Sequence, residues 1–238
     1  VLFIWFRLIL KLLIMKTKTL WISLGLVTLL SFSVLLFFGK EIYRLKPPIP
    51  EKVVTAGGEV LFTAQQIKDG QNVWQSIGGQ QVGTVWGHGA YLAPDWSADW
   101  LHREAVFMLD GWSVKEFGIP YVDLESEKQA MLEVRLQKTV RVNTYDAETG
   151  ILTLSDDRAQ AVRNNLIHYS GLFTDDPLLS EERTAYAIPP NTTKDLTRMD
   201  AMKAFFFWAA WACVTERPGS ELTYTSNALE GSTLTRQE

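Results

Sequence analysis

Cysteine is nearly missing from this chain: Cys213 is the only one in 238 residues. That excludes an intramolecular disulfide framework, and with it any Cys-x-x-Cys metal site or haem-attachment site. Histidine is almost as scarce. His88, His102 and His168 are scattered, and no two stand at the i, i+4 spacing of a zinc-binding helix. There is no excess of positive charge either. Twenty-three Lys+Arg against 27 Asp+Glu give a net charge of -4, and no basic face marks a nucleic-acid partner. The motifs of common enzyme classes are absent too. Ser76 lacks the Gly-x-Ser-x-Gly elbow. Gly87-His88-Gly89 does not open a dinucleotide fingerprint, because Leu92 stands where the third glycine belongs. Internal repeats and low-complexity tracts are also lacking.

What the chain does have is a long uncharged run between Lys18 and Lys40, TLWISLGLVTLLSFSVLLFFG. About 20 helical residues span roughly 30 Å, the thickness of a hydrocarbon core, so this run predicts a transmembrane helix. A cleaved signal peptide has a shorter apolar core, about 7–15 residues, followed by small residues. Here Lys40-Glu41-Ile42-Tyr43-Arg44 follows, which favours a retained anchor over residues 15–45. Residues 1–14 read as a non-native leader before Met15, with a short interfacial helix as the alternative. Acidic residues are absent ahead of the run, which points the N-terminus to the cytoplasm. Lys46-Pro47-Pro48-Ile49-Pro50 reads as a stiff extended spacer.

Beyond the spacer the fold class expected is mainly α with a small β-hairpin. Thr63, with Gln66 three residues on, predicts a capped helix through Ile67, Gly70, Val73 and Trp74. A second helix starts at Asp95 and ends near Gly111. Ser126–Lys138 reads as amphipathic, with Ala130, Met131, Val134 and Leu136 apolar. Val140, Val142 and Tyr145 pair with Ile151–Leu154 in the hairpin. A helix over Asp157–Tyr169 stops at Gly171. Asp200–Thr215 is apolar, but its uncharged part covers only about 18 Å, so it predicts a buried core helix. The tail 228–238 is polar and patternless and reads as disordered or frame-shifted.

The densest stretch is Gly70–Glu104, GQNVWQSIGGQQVGTVWGHGAYLAPDWSADWLHRE, with six glycines and four tryptophans. Glycine serves where backbone turns sharply or approaches something closely, and tryptophan buries a large area while its N–H asks for a partner. This block, with the late FFFWAAWACVTERPG and TYTSN, resembles the N-terminal region of quinol-dependent nitric oxide reductases. In that family this part looks like a cytochrome c subunit whose haem site has been erased. The family's Gly-x-x-Leu-Trp helix aligns with Gly70–Trp74, and its Gly-x-Gly-Ala-Tyr-x-Ala-Pro element aligns with Gly87–Pro94. Gly79, Val82 and Gly83 then stand where Cys-x-x-Cys-His would be, and none of them forms a thioether or ligates iron.

The resemblance implies a cytochrome c-like extracytoplasmic domain over residues 46–227, lacking haem c and with no cofactor in this chain. It implies a location at the bacterial inner membrane with the soluble part on the periplasmic side. The implied partners are the membrane, a multi-helix catalytic domain and quinol. That catalytic domain carries two haems b and a non-haem iron, none of whose ligands is in this chain. It further implies a calcium held partly by backbone at Gly89 and Tyr91.

No residue here is expected to be catalytic. Asp95, Asp99, Arg103 and Glu104 read as a general acid–base pair or, far more commonly, as caps and ion pairs. Cys213 reads as an inert core thiol. Phe205–Trp211 reads as core, with a quinone or lipid contact as the lesser reading. A membrane-tethered extracytoplasmic binding or sensor module is the competing function.

Overall fold

The computed structural model describes residues 2–87 and 93–218, with side chains from residue 17 onward. It divides into two units, 1–46 and 47–238. The first is one helix, α1 (Leu2–Leu45). Within it Thr17–Leu45 is long and apolar enough to cross a membrane, and none of that apolar surface is packed away.

The second unit holds β1 (Lys52–Thr55), β2 (Val60–Thr63), α2 (Ala64–Ser76), α3 (Trp96–Phe117), α4 (Ser126–Arg141), β3 (Tyr145–Asp146), β4 (Ile151–Leu154), α5 (Asp156–Phe173), α6 (Ser180–Ala185) and α7 (Leu196–Val214). The fold is mainly helical, as expected, and the β3–β4 hairpin is present. It belongs to a wider sheet of order β2-β1-β4-β3, in which β1 runs parallel to β4. The β1 contribution is not visible as a pattern, because a four-residue strand carries only two side chains on each face.

Residue chemistry explains most boundaries. Thr63 Oγ1 accepts the Gln66 N–H at 3.3 Å while Gln66 Oε1 accepts the Thr63 N–H at 2.9 Å, a reciprocal cap that starts α2. Asp95 caps α3 by accepting from the Ser97 and Ala98 amides at 2.9 and 3.0 Å. That helix runs through Gly111 and ends only at Gly118, whose φ of 75° forms a left-handed cap. The expected stop at Gly111 is therefore wrong: one glycine costs a helix about 1 kcal/mol, and the tertiary packing of a long helix overrides that.

Gly171 likewise lies inside α5, which continues to Phe173. α4 extends to Arg141 and takes in Val140, leaving only Tyr145–Asp146 as the hairpin's first strand. Its buried positions are Leu132, Leu136 and Val140, whereas Met131 and Val134 are exposed. The proline spacer is also not free-standing, since Pro50 is buried and Pro48 accepts the Trp208 indole N–H at 2.9 Å.

α7 is the axis of the core. From Ala204 on it is apolar around its whole circumference, and it is buried almost throughout, as a central helix must be. α2 crosses it at Gly70, where a Cβ would stand 2.0 Å from the Ala201 carbonyl oxygen and 2.7 Å from Phe205 Cβ. Only glycine allows that approach. Trp74 then packs on Phe205 with ring centres 5.7 Å apart, and Phe62 stacks on Phe207 at 5.1 Å.

Candidate functional site

The Gly70–Glu104 stretch leaves α2, makes a short 3-10 turn over Gly79–Val82, and returns at Asp95. Asp95 clasps the base of the loop between. Its carboxylate accepts from Thr84 Oγ1 at 3.0 Å and from the Gly87 amide. The backbone closes the same ring, with the Trp96 N–H donating to the Thr84 carbonyl at 2.7 Å and the Thr84 N–H to Pro94 at 3.0 Å. Trp86 anchors the loop to α7 by donating its indole N–H to the Ala209 carbonyl at 2.9 Å and packing on Trp208. His88, Gly89 and Tyr91 lie outside the described residues.

The position expected to have lost a haem ligand is occupied by protein. Gly83 has φ of 121°, and a Cβ there would meet Trp96 Nε1 at 2.2 Å and the Pro94 carbonyl oxygen at 2.8 Å. A histidine at 83 therefore clashes with the indole before any question of iron arises. Trp96 is itself wedged against Phe206 (5.2 Å, stacked), Phe173 (5.2 Å) and Tyr169 (6.0 Å). Trp74 closes the other side by donating to the Gly83 carbonyl at 3.0 Å. A covalently attached haem c does not fit these residues.

The four charged residues around the start of α3 divide into three jobs. Asp95 is a cap. Glu104 and Arg158 form a fully buried ion pair at 2.5 Å, with Trp100 donating to the second Glu104 oxygen at 3.1 Å and Arg158 donating to the Val140 carbonyl at 3.3 Å. Asp99 is the hub of a half-buried network: it accepts from the Tyr169 phenol at 2.6 Å, the Tyr186 phenol at 2.9 Å and Arg103 Nε at 3.0 Å. Glu182 on α6 pairs with Arg103 and lies 3.2 Å from His168 Nε2.

These contacts set the titration. Burial, with the nearby Arg103 charge, holds His168 below its ordinary value. Burial and the Asp99 carboxylate push the Tyr169 phenol well above its own, and the same causes push Tyr186 up to about 12. The arrangement fixes α3, α5 and α6 together and offers no nucleophile–base pair. Arg158, Tyr169, Tyr186 and Glu182 are invisible to local sequence patterns because they meet α3 from more than fifty residues away.

The remaining candidates are quickly located. His102 is exposed on α3. Ser76 accepts from Arg198 at 2.7 Å on the surface. Cys213 and Phe205–Phe207 are buried in the core, with Trp208 at its edge. Among the described residues no group of three or more acidic, histidine or cysteine side chains is placed to hold a metal ion.

The class that emerges is a small helical domain packed around its own aromatic side chains. Residues 50–228, about three quarters of the chain, match the family described as the NorB cytochrome c-like domain of nitric oxide reductase, and the chain belongs to that family. No curated protein matches it at a significant level.

Proposed function

We propose that this chain is the membrane-anchored, haem-less cap of a quinol-dependent nitric oxide reductase. The single observation that carries the reading is the Gly83–Trp96 contact, since a cytochrome c-like domain whose ligand position is packed with indole has no electron-carrying haem c. A reductase with such a domain takes its electrons elsewhere, and quinol in the membrane is the donor that an anchor such as α1 suits. In the whole enzyme two nitric oxide molecules, two electrons and two protons give one nitrous oxide and one water. That chemistry belongs to the haems b and non-haem iron of the catalytic domain.

The cap's part is to bind and orient. Asp95, Trp86 and Thr84 fix the loop base, and the backbone carbonyls of Gly89 and Tyr91 would be hard oxygen ligands of the kind calcium takes, completed by the catalytic domain. The N-terminus lies on the cytoplasmic side and residues 46–227 on the periplasmic side.

Purified chain is expected to carry no covalent haem on a denaturing gel and to leave both quinol and nitric oxide untouched. Nitric oxide turnover by the chain alone, supplied with haem, iron and a quinol, would overturn the proposal. A specific small ligand bound by the chain without any reductase activity in its membrane assembly would support the sensor reading instead.

A further inference from the structure

Two tyrosines aim at one carboxylate. The Tyr169 phenol donates to Asp99 Oδ2 at 2.6 Å and the Tyr186 phenol to Asp99 Oδ1 at 2.9 Å. Tyr169 is wholly buried and Tyr186 half-buried, so the pair runs from the interior towards the surface. Behind it stands a continuous set of rings. Trp100 stacks on Tyr169 with centres 5.2 Å apart and planes 7° from parallel. Trp96 meets Tyr169 edge-on at 6.0 Å and Tyr186 at 6.2 Å. Phenylalanine would fill the same spaces, and it would spare the interior a set of polar groups that must satisfy one another.

Indole and phenol rings are among the side chains that give up one electron most readily. A phenol does so easily only if its proton leaves too, so a base within about 2.6–3.2 Å decides which tyrosine is oxidised. An ionised carboxylate only accepts, and it can take that proton. Around Asp99 the charges leave room for one: Asp99 and Glu182 face the single Arg103 guanidinium, and burial disfavours the charged form of His168. The indoles lack this outlet. Trp96 Nε1 is buried with no acceptor, and Trp100 donates to Glu104, whose charge Arg158 already balances.

We propose that Asp99, Tyr169 and Tyr186 form a redox site that drains oxidising equivalents out of the aromatic core. A diffusible one-electron oxidant, such as nitrogen dioxide leaving as nitrite, takes an electron from the ring stack. The deficit settles on Tyr169. Its O–H bond breaks as the proton passes to Asp99 Oδ2, leaving a neutral phenoxyl radical and a carboxylic acid. The deficit then moves outward. One electron goes from Tyr186 to Tyr169, the proton on Oδ2 returns to Tyr169, and Tyr186 passes its own proton to Oδ1. A small one-electron reductant such as ascorbate restores Tyr186, and Asp99 gives the proton back. This inference is independent of the reading of the chain as a reductase cap.

The test uses the full chain in detergent, oxidised by flash-generated tris(bipyridyl)ruthenium(III) and frozen for electron paramagnetic resonance. Tyr121→Phe serves as the background, because the Tyr121 phenol also donates to a carboxylate (Glu133, 2.6 Å) but lies outside the ring stack. In that background a neutral tyrosyl radical is expected. Its phenoxyl oxygen should carry a hydrogen-bonded proton whose coupling vanishes in heavy water. Tyr169→Phe, which keeps the ring, is expected to remove most of the tyrosyl signal and leave an indole radical. Tyr186→Phe should keep the signal and slow its reduction by ascorbate, because the way out is gone. Asp99→Asn should remove the tyrosyl signal. The proton coupling is read with the cluster unaltered, so it decides the matter even if the Asp99 variant fails to fold. No tyrosyl radical in the background chain, no exchangeable proton on it, a signal indifferent to Tyr169→Phe, or ascorbate reduction indifferent to Tyr186→Phe would each overturn the proposal.

Discussion

The inner and outer faces of α3 differ in what they carry and in what answers them. The inner face carries Trp96, Trp100, Leu101, Ala105, Met108, Leu109 and Trp112, each packed into the hydrophobic core of the second unit. Even its one charge, Glu104, has Arg158 and the Trp100 indole waiting for it. The outer face mixes the exposed His102, Lys115 and Glu116 with Val106, Phe107 and Val114, which keep 44%, 37% and 56% of their surface in solvent. A helix apolar on one face announces how it packs, and single apolar residues among charges on the other face need no partner. The inner face accounts for the fold, and the outer face is free to vary without touching it.

The largest test of this contrast is at Glu104. Glu104→Gln leaves the Arg158 charge buried without its counter-charge and should cost about 3–5 kcal/mol, read from chemical unfolding. Replacing both residues by leucine should recover most of that loss, because a buried pair contributes little beyond satisfying itself. If Glu104→Gln unfolds like the parent chain, the inner face does not depend on that pair. Next in size is Gly83→Ala. The added methyl overlaps the Trp96 indole and forces a positive φ on alanine, so a loss of about 2 kcal/mol is expected. An unchanged melt would mean that Trp96 moves freely, and the account of a filled haem position would fail with it.

At the rim between the faces, the Asp99 network makes stability depend on pH in both directions. His168 is held below its ordinary 6.5, so the unfolded chain takes up its proton first on acidification. Its contribution is intact above about pH 6.5 and is lost as the pH falls through the lower folded value. Tyr169 is held above its ordinary 10.0, so the unfolded chain releases that proton first, and stability is lost as the pH rises past 10. His168→Gln should flatten the acid limb of a stability–pH curve and Tyr169→Phe the alkaline limb. Unchanged limbs in these variants would show that other groups set the pH range.

How much of this is legible in the sequence varies with distance along the chain. The α2 start is readable because Thr63 and Gln66 are three residues apart and the cap is local. The buried character of α7 is readable from its uninterrupted apolar run. Gly111 and Gly171 mislead because a glycine weakens a helix by an amount that remote packing easily outweighs. α4 misleads differently: Met131 and Val134 look like core by type, yet the register that turns α4 inward selects Leu132, Leu136 and Val140. The cluster Asp95–Glu104 is visible as a cluster. Its division into a cap, a buried pair and a phenol-binding hub depends on Arg158, Tyr169 and Tyr186, which no local pattern connects to it.

The smallest effect separates the two faces most sharply, because its sign reverses between them. An alanine on the inner side of a helix–helix contact destabilises, as Gly70→Ala must with the Ala201 carbonyl 2.0 Å away. On the outer face of α3, alanine removes the conformational freedom glycine gives the unfolded chain and meets nothing in the folded one. Gly111→Ala should therefore raise stability by about 1 kcal/mol, measured in denaturant. A variant that loses folding stability would place an unseen neighbour over Gly111 within the chain itself.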